Sequence, residues 1–372
     1  MTVIANSSED REGRIESLDV LRGFTIAGMI VVDDPGTWSA VYPPLLHAEW
    51  NGWTYTDTIF PFFLFLAGAS LVLSLSRRAA AGRSRDALLQ GLVRRAATLV
   101  GLGLALNLAA FLALGLDRFR IPGVLQRIGV CVFAAGAVWL LGGARGTRLS
   151  ARVTGAAAVL LLLAYAVLMR GGLEPSDNLA ARVDRAVLGA HTWKPGFDPE
   201  GILSTIPAIA TTLLGVLAGA RLTEPASRAR KIRDLAAGGA VAAAAGLLWG
   251  RSFPINKNLW TSSYALLTAG LAALALAVCM ALEPWRVWRR ATAPLRWLGR
   301  NAIAAFTLSM LGAIGLLAVK VNGRSLWRTI HLAVFDRFAD PRLGSLLFAL
   351  AYLAVWIAVC GVLFRKRIFL KI

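Results

Sequence analysis

Residues Thr58–Leu75 read TIFPFFLFLAGASLVLSL, eighteen positions without a single charged side chain. At 1.5 Å of rise per residue such a run spans roughly 27 Å as a helix, close to the hydrocarbon thickness of a bilayer. Nine other runs share this character: Leu18–Val32, Ala96–Leu116, Val124–Leu141, Val153–Met169, Ile202–Ala220, Leu235–Gly250, Leu259–Leu282, Ala302–Val319 and Gly344–Phe364. In lipid every backbone N–H and C=O must be satisfied within its own segment, so runs of this kind become helices. The pattern predicts an all-α, polytopic membrane helix bundle of about ten spans. Residues 18–372 then form one transmembrane domain, preceded by a polar segment over residues 1–17.

Composition agrees with that reading. Across 372 residues, 57% are apolar, only 16% are charged, and the mean hydropathy is +0.62. A soluble domain of this size carries about a quarter charged residues. The formal charge of +19 invites comparison with nucleic-acid binders, but those gather basic residues on one soluble face. Here the basic residues stand in short clusters between apolar runs, so nucleic acid is not the expected partner; the bilayer is. Cys131, Cys279 and Cys360 each lie within an apolar run and offer neither a disulfide framework nor a CxxC metal site.

Alternate connections differ in their basic content. One set, which includes both ends of the chain, holds 25 Lys and Arg residues and the other 13; Arg22 and Arg127 lie inside predicted spans. By the positive-inside rule the richer set is cytoplasmic, which puts both termini inside. All three histidines, His47, His191 and His331, then fall in outer connections. They stand in three separate connections without HxxxH spacing, so no metal site is expected.

The segment Gly23–Ser76 has no Lys or Arg, yet carries Asp33, Asp34, Glu49 and Asp57 together with His47. An acidic outer mouth attracts cations, although the lack of basic residues also follows from topology alone. Within the segment, HAEWNGWTYTD (His47–Asp57) runs straight into the second span. Imidazole is the side chain that exchanges a proton near neutral pH without perturbation. Asp57 is placed either to orient His47 or to bind a substrate amine, and Trp50 and Trp53 suit an interfacial belt or a sugar platform.

Other polar groups sit at or inside the spans, where they are functional candidates by default. Asp19 and Arg22, three residues apart, share a helical face and suit either a mutual ion pair or a phosphate. RIPGVLQRIG (Arg120–Gly129) brings Arg127 into the fourth span. FDPEGILSTIPAI (Phe197–Ile209) begins with Asp198 and Glu200, FPINKNLW (Phe253–Trp260) carries Asn256, Lys257 and Asn258, and GRNAIAAF (Gly299–Phe306) carries Asn301. No Walker A loop, GxSxG elbow or HExxH string occurs. The residues by themselves lead to a membrane enzyme or transporter with a polar, outward-facing acidic pocket.

These strings, together with SLDVLRGFTIAGMIVVDDPG (Ser17–Gly36), resemble in order the transmembrane heparan-α-glucosaminide N-acetyltransferase family, and its bacterial branch in particular. The resemblance runs from about Ile15 to the last span. It implies transfer of an acetyl group from cytosolic acetyl-CoA, as co-substrate, to an amino sugar across a bacterial cytoplasmic membrane. It places the family's catalytic His at His47, as general base or as acetyl carrier, and a neighbouring family Asn at Asp33. That is a departure, because an ionised carboxylate cannot donate a hydrogen bond. It also implies Arg22, Arg127, Lys257 and Asn301 as contacts for the polyanionic CoA. Trp50, Asn51, Asp57, Asp198, Glu200, Asn256 and Asn258 are expected to line the sugar pocket. A homodimer is compatible with this reading. The alternative is an amino-sugar or small-solute transporter without acyl transfer, against which stand the missing internal repeat and the missing pair of interrupted spans.

Overall fold

The computed structural model describes residues 2–3, 15–143, 148–175 and 177–371. Most of the polar segment expected over residues 1–17 lies outside them. The chain begins with strand β1 (Thr2–Val3) and helices α1 (Glu16–Asp33), α2 (Tyr55–Ala80), α3 (Arg85–Leu114), α4 (Val124–Leu141) and α5 (Arg148–Leu168). It continues through α6 (Leu179–Leu188), α7 (Thr205–Thr223), α8 (Arg228–Trp249), α9 (Ser262–Leu282), α10 (Arg286–Ala291), α11 (Ala293–Arg300) and α12 (Ala302–Ala318). A small hairpin of β2 (Lys320–Val321) and β3 (Arg324–Ser325) precedes α13 (Leu326–Ile330), α14 (Pro341–Arg365) and β4 (Leu370–Lys371).

The fold is an all-α polytopic helix bundle, and each of the ten apolar runs falls on a helix. Among the described residues, eight helices are long and apolar enough to cross a membrane: α2, α3, α4, α5, α7, α8, α9 and α14. The pair α11–α12, bent by 86° at Asn301, is apolar and long enough to cross only when the two helices are taken together. The tenth run, α1, carries Glu16, Asp19, Arg22 and Asp33 and is therefore less apolar. Its charge is tolerated because α1 is mostly buried among α2, α9, α11 and α14 rather than facing lipid.

Helix packing in lipid cannot draw on hydrophobic burial, so small residues that let backbones approach set the contacts. On α7, GVLAG places Gly215 and Gly219 four apart against α2, where a Cβ on either would collide with the carbonyl of Phe65 or Ala69. Gly68 of α2 meets the Thr212 carbonyl in the same way. Between α1 and α11, Gly23 lies against the Leu295 carbonyl and Gly299 against that of Asp19. Helices α2, α4, α7 and α9 form the buried centre, while α3, α5, α8 and α14 turn large apolar side chains such as Leu112, Leu160 and Val241 outward.

Strand β1 pairs antiparallel with β4, so residues 2–3 and 370–371 lie on one side of the bundle. Arg77 and Arg78, in the last turn of α2, mark that basic side, and the loop bearing His47 lies at the opposite end of α2.

Candidate active site

The N-terminal end of α2 is built by a capping box: the Thr54 side chain receives the N3 amide, and Asp57 at N3 accepts from Thr54 N at 2.9 Å. The same Asp57 Oδ2 accepts from Ala48 N at 3.0 Å, which leaves Oδ1 to meet His47 Nδ1 at 2.7 Å. The Asp57 side chain is 1% exposed and that of His47 47% exposed. A buried carboxylate on Nδ1 holds the proton there and leaves Nε2 as the outward-facing acceptor. Tyr264 Oη donates to the Asp57 carbonyl and fixes the same turn to α9.

A second loop completes the site from 200 residues away in sequence. Asn51 Oδ1 accepts from Asn256 Nδ2 at 3.2 Å, and Gly52 N donates to the Ile255 carbonyl at 2.7 Å. Gly52 adopts φ +103°, a left-handed value that a side chain disfavours. Asn256 is fully buried and its Oδ1 accepts from Leu259 N, so it shapes the Phe253–Trp260 loop. This tie brings Lys257 Nζ to 3.4 Å from His47 Nε2. Asp33 stands close enough to His47 and Lys257, and Glu200 to Lys257, for their charges to interact. Asp33 is the last residue of α1 and is exposed.

The Asp-Pro-Glu-Gly turn is organised by Arg120, a residue that sequence reasoning passed over. Its guanidinium grips Asp198 with two bonds, at 2.8 and 2.6 Å, and also pairs with Glu200. Burial alone would lower Arg120, but the two carboxylates hold it above its ordinary value. Burial likewise would raise Glu200, but Arg120, Lys257 and Arg127 outweigh it and keep its carboxyl below the usual range. Asp198 also accepts from the amides of Trp193 and Glu200 and is 1% exposed. Its carboxylate is thus fully engaged by Arg120 and two backbone amides. Trp50 is similarly engaged: its Nε1 donates to the Leu173 carbonyl at 2.9 Å and its ring meets Phe197. Asn51 stays exposed beside His47's loop, and Asn258 is half-buried.

The other two histidines stand apart. His191 Nδ1 meets the Phe119 carbonyl at 2.8 Å, and His331 is buried against Gly36 and Phe348. Among the described residues no group of three His, Cys, Asp or Glu side chains converges as a metal site would require.

On the basic side, a cavity of about 440 Å³ opens among α2, α3, α4, α11 and α12. Arg22, Arg78, Arg94, Arg95 and Arg300 line it, with no carboxylate among the lining residues. Higher up the lining turns apolar, with Phe63, Leu71, Leu99, Leu125 and Ile128. From Arg78 to Phe63 the cavity follows α2 for fifteen residues, about 22 Å, and Phe63 lies about 9 Å of helix rise below Asp57. The cavity therefore reaches from the basic face toward the His47–Asp57 dyad.

Of the four residues expected to meet CoA, only Arg22 lines this cavity, where it also bonds Asp19 and the Gly299 carbonyl, each at 3.0 Å, and Ser70. Arg127 is buried at the α4–α7 seam, donating to the Gly201 carbonyl and Ser204 Oγ and stacking over Trp260. Lys257 is held at His47. Asn301, at the α11–α12 bend, spends its side chain on the Ile368 carbonyl and Leu370 N and so fixes the C-terminal strand. Arg78, Arg94 and Arg95 were indistinguishable in sequence from ordinary positive-inside residues.

Asp34, beside Asp33, is buried, and burial together with the Asp33 charge raises its carboxyl to about 8. Because the folded value exceeds the unfolded one, Asp34 contributes stability in full below about pH 4 and loses it as pH rises through 8. Asp34→Asn is thus expected to come closest to the parent in thermal melts at pH 4 and to gain on it progressively up to pH 8.5. An equal difference at both pH values would contradict this environment.

The fold and the site define a polytopic membrane protein with a His–Asp pair at one end of α2 and an arginine-lined cavity at the other. The profile of the family described as "Heparan-alpha-glucosaminide N-acetyltransferase, catalytic" matches residues 14–252, and the chain belongs to that family. It is similar to the heparan-alpha-glucosaminide N-acetyltransferases of Homo sapiens, 27% identical over 96% of this chain, and of Mus musculus, 25% identical over 96%. The chain spans about 60% of the length of each of these relatives.

Proposed function

We propose that the protein is a membrane N-acetyltransferase that takes acetyl-CoA from the cytoplasmic side and acetylates the amine of a glucosamine-type sugar on the outer side of a bacterial cytoplasmic membrane. The observation that carries this reading is the alignment of the arginine-lined cavity with the dyad along α2. Five guanidiniums suit the phosphates of a nucleotide, and the narrowing apolar roof suits a flexible thioester arm. Family membership supports the chemistry.

In the transfer, His47 Nε2 takes a proton from the sugar ammonium, which frees the nitrogen lone pair. That nitrogen attacks the thioester carbon, forming the N–C bond as the carbonyl π electrons move to oxygen. Collapse of the tetrahedral intermediate breaks the C–S bond, and the sulfur leaves with the electron pair. Of the two protons that the ammonium loses, one ends on the CoA sulfur and one passes to water. Asp57 supports the imidazolium formed at His47. Lys257 keeps Nε2 available as an acceptor before the sugar amine takes that place, and its charge then offsets the developing alkoxide. Asp33 and Glu200 supply negative charge that favours an ammonium acceptor over a neutral or anionic one.

Purified protein given acetyl-labelled CoA and glucosamine tests the reading. Label should enter the sugar and fall at least about a hundredfold in His47→Ala. Sugar uptake into vesicles without any acetylation would overturn it in favour of a transporter.

A further inference from the structure

A second basic site lies on the same face as the arginine cavity but is lined by different residues. Arg286, Arg289 and Arg290 of α10, with Arg296 of α11, surround an open groove of about 410 Å³ that also touches Ala293. The three α10 arginines fall at i, i+3 and i+4, on one helical face. Among the described residues none of the three has a side-chain hydrogen bond or an ion pair, and no carboxylate lines the groove. Arg296 Nη2 donates to the Arg289 carbonyl at 2.8 Å and so fixes α11 against α10 with the guanidiniums converging.

The neighbouring face of α10 is apolar and uncovered: Val287 is 79% exposed, Ala291 is exposed, and Trp285 just before the helix is 64% exposed. The helix lies between the end of α9 and the bend into α12, which places it at the membrane boundary. A short segment with basic and apolar faces side by side at that depth has the form of an interfacial helix. Arg296 is already paired with Glu16 at 3.0 Å, but the three neighbouring α10 charges cost repulsion unless an anion joins them, and the anion most abundant at that depth is a lipid phosphate.

We propose that this groove is a binding site for the phosphate headgroup of an anionic glycerophospholipid of the cytoplasmic leaflet, with Trp285 and Val287 set among its acyl chains. The site is separate from the transfer chemistry and does not depend on it.

Native mass spectrometry of the full-length protein with added phosphatidylglycerol or phosphatidylcholine tests the assignment, with thermal melts alongside. The protein should retain phosphatidylglycerol at least about tenfold better than phosphatidylcholine. R286Q/R289Q/R290Q should lose that preference while melting like the parent in phosphatidylcholine, and R290Q alone should lose part of it should the triple variant not fold. R83Q/R85Q, which removes charge from the same side outside the groove, should keep it. Equal loss in R83Q/R85Q would reduce the effect to diffuse surface charge and overturn the site. Stabilisation by inorganic phosphate equal to that by phosphatidylglycerol, and lost in the triple variant, would overturn the lipid assignment in favour of a free phosphate.

Discussion

Asp57→Asn is expected to lower acetyl transfer by about 10²- to 10⁴-fold while leaving the KM for acetyl-CoA close to that of the parent. Asp57 Oδ2 serves the amides of Ala48 and Thr54, and Oδ1 serves His47. An Asn can keep the two amides only by turning its oxygen to them, which aims its NH₂ at His47 Nδ1. That nitrogen must then be an acceptor, and the ring proton moves to Nε2, where the mechanism needs a lone pair. Because the cap is preserved, the variant should fold, and unchanged acetyl-CoA affinity would report that the cavity is intact. Activity within a factor of about three of the parent would show that the dyad does not take part in the transfer.

A comparable loss, of a different kind, is expected at the other end of the cavity. Arg78→Gln and Arg95→Gln should each raise the KM for acetyl-CoA by about 10- to 100-fold, with kcat at saturation little changed. This is the range for a lost charge-assisted hydrogen bond to phosphate, about 1.5–3 kcal/mol. A short acetyl thioester that lacks the nucleotide supplies the internal control. It should be used poorly by the parent and equally poorly by both variants, since it has no phosphate to lose. If the variants were impaired equally with both thioesters, the arginines would be supporting the fold rather than holding the nucleotide.

The two ends of the site differed in how far they could be read from the residues. Spans such as Thr58–Leu75 were visible because lipid imposes a demand on composition over a whole segment. Their boundaries were not: α3 begins at Arg85, eleven residues before the apolar run at Ala96, since Leu88 and Leu92 of its extension are buried. Helix α6 was missed for the opposite reason, being a short amphipathic helix capped by Asn178 outside the apolar runs. His47 and Asp57 could be paired by eye because ten residues of one polar loop separate them. Lys257 could not be joined to them, because the Asn51–Asn256 tie is a tertiary contact with no local signature. The arginine cavity was hidden in a different way. Positive-inside charge and phosphate-binding charge are written with the same residues, and only convergence on one cavity separates them.

The bent helix pair shows how a residue outside the cavity lining can still bear on it. Asn301 was expected at CoA, but its side chain holds the C-terminal strand, and Phe369 of the adjoining segment closes one wall of the cavity over Arg300. Its effect on the cavity is thus through the wall it anchors.

In the proposed reaction acetyl groups pass from one face of the membrane to an acceptor on the other. Proteoliposomes in which acetyl-labelled CoA contacts only the arginine-cavity face and glucosamine only the His47 face test it most directly. Label is expected to appear in the sugar, to depend on His47, and to vanish when the two substrates exchange sides. Acetylation that occurs only when both substrates share one side, or that survives His47→Ala, would contradict the account.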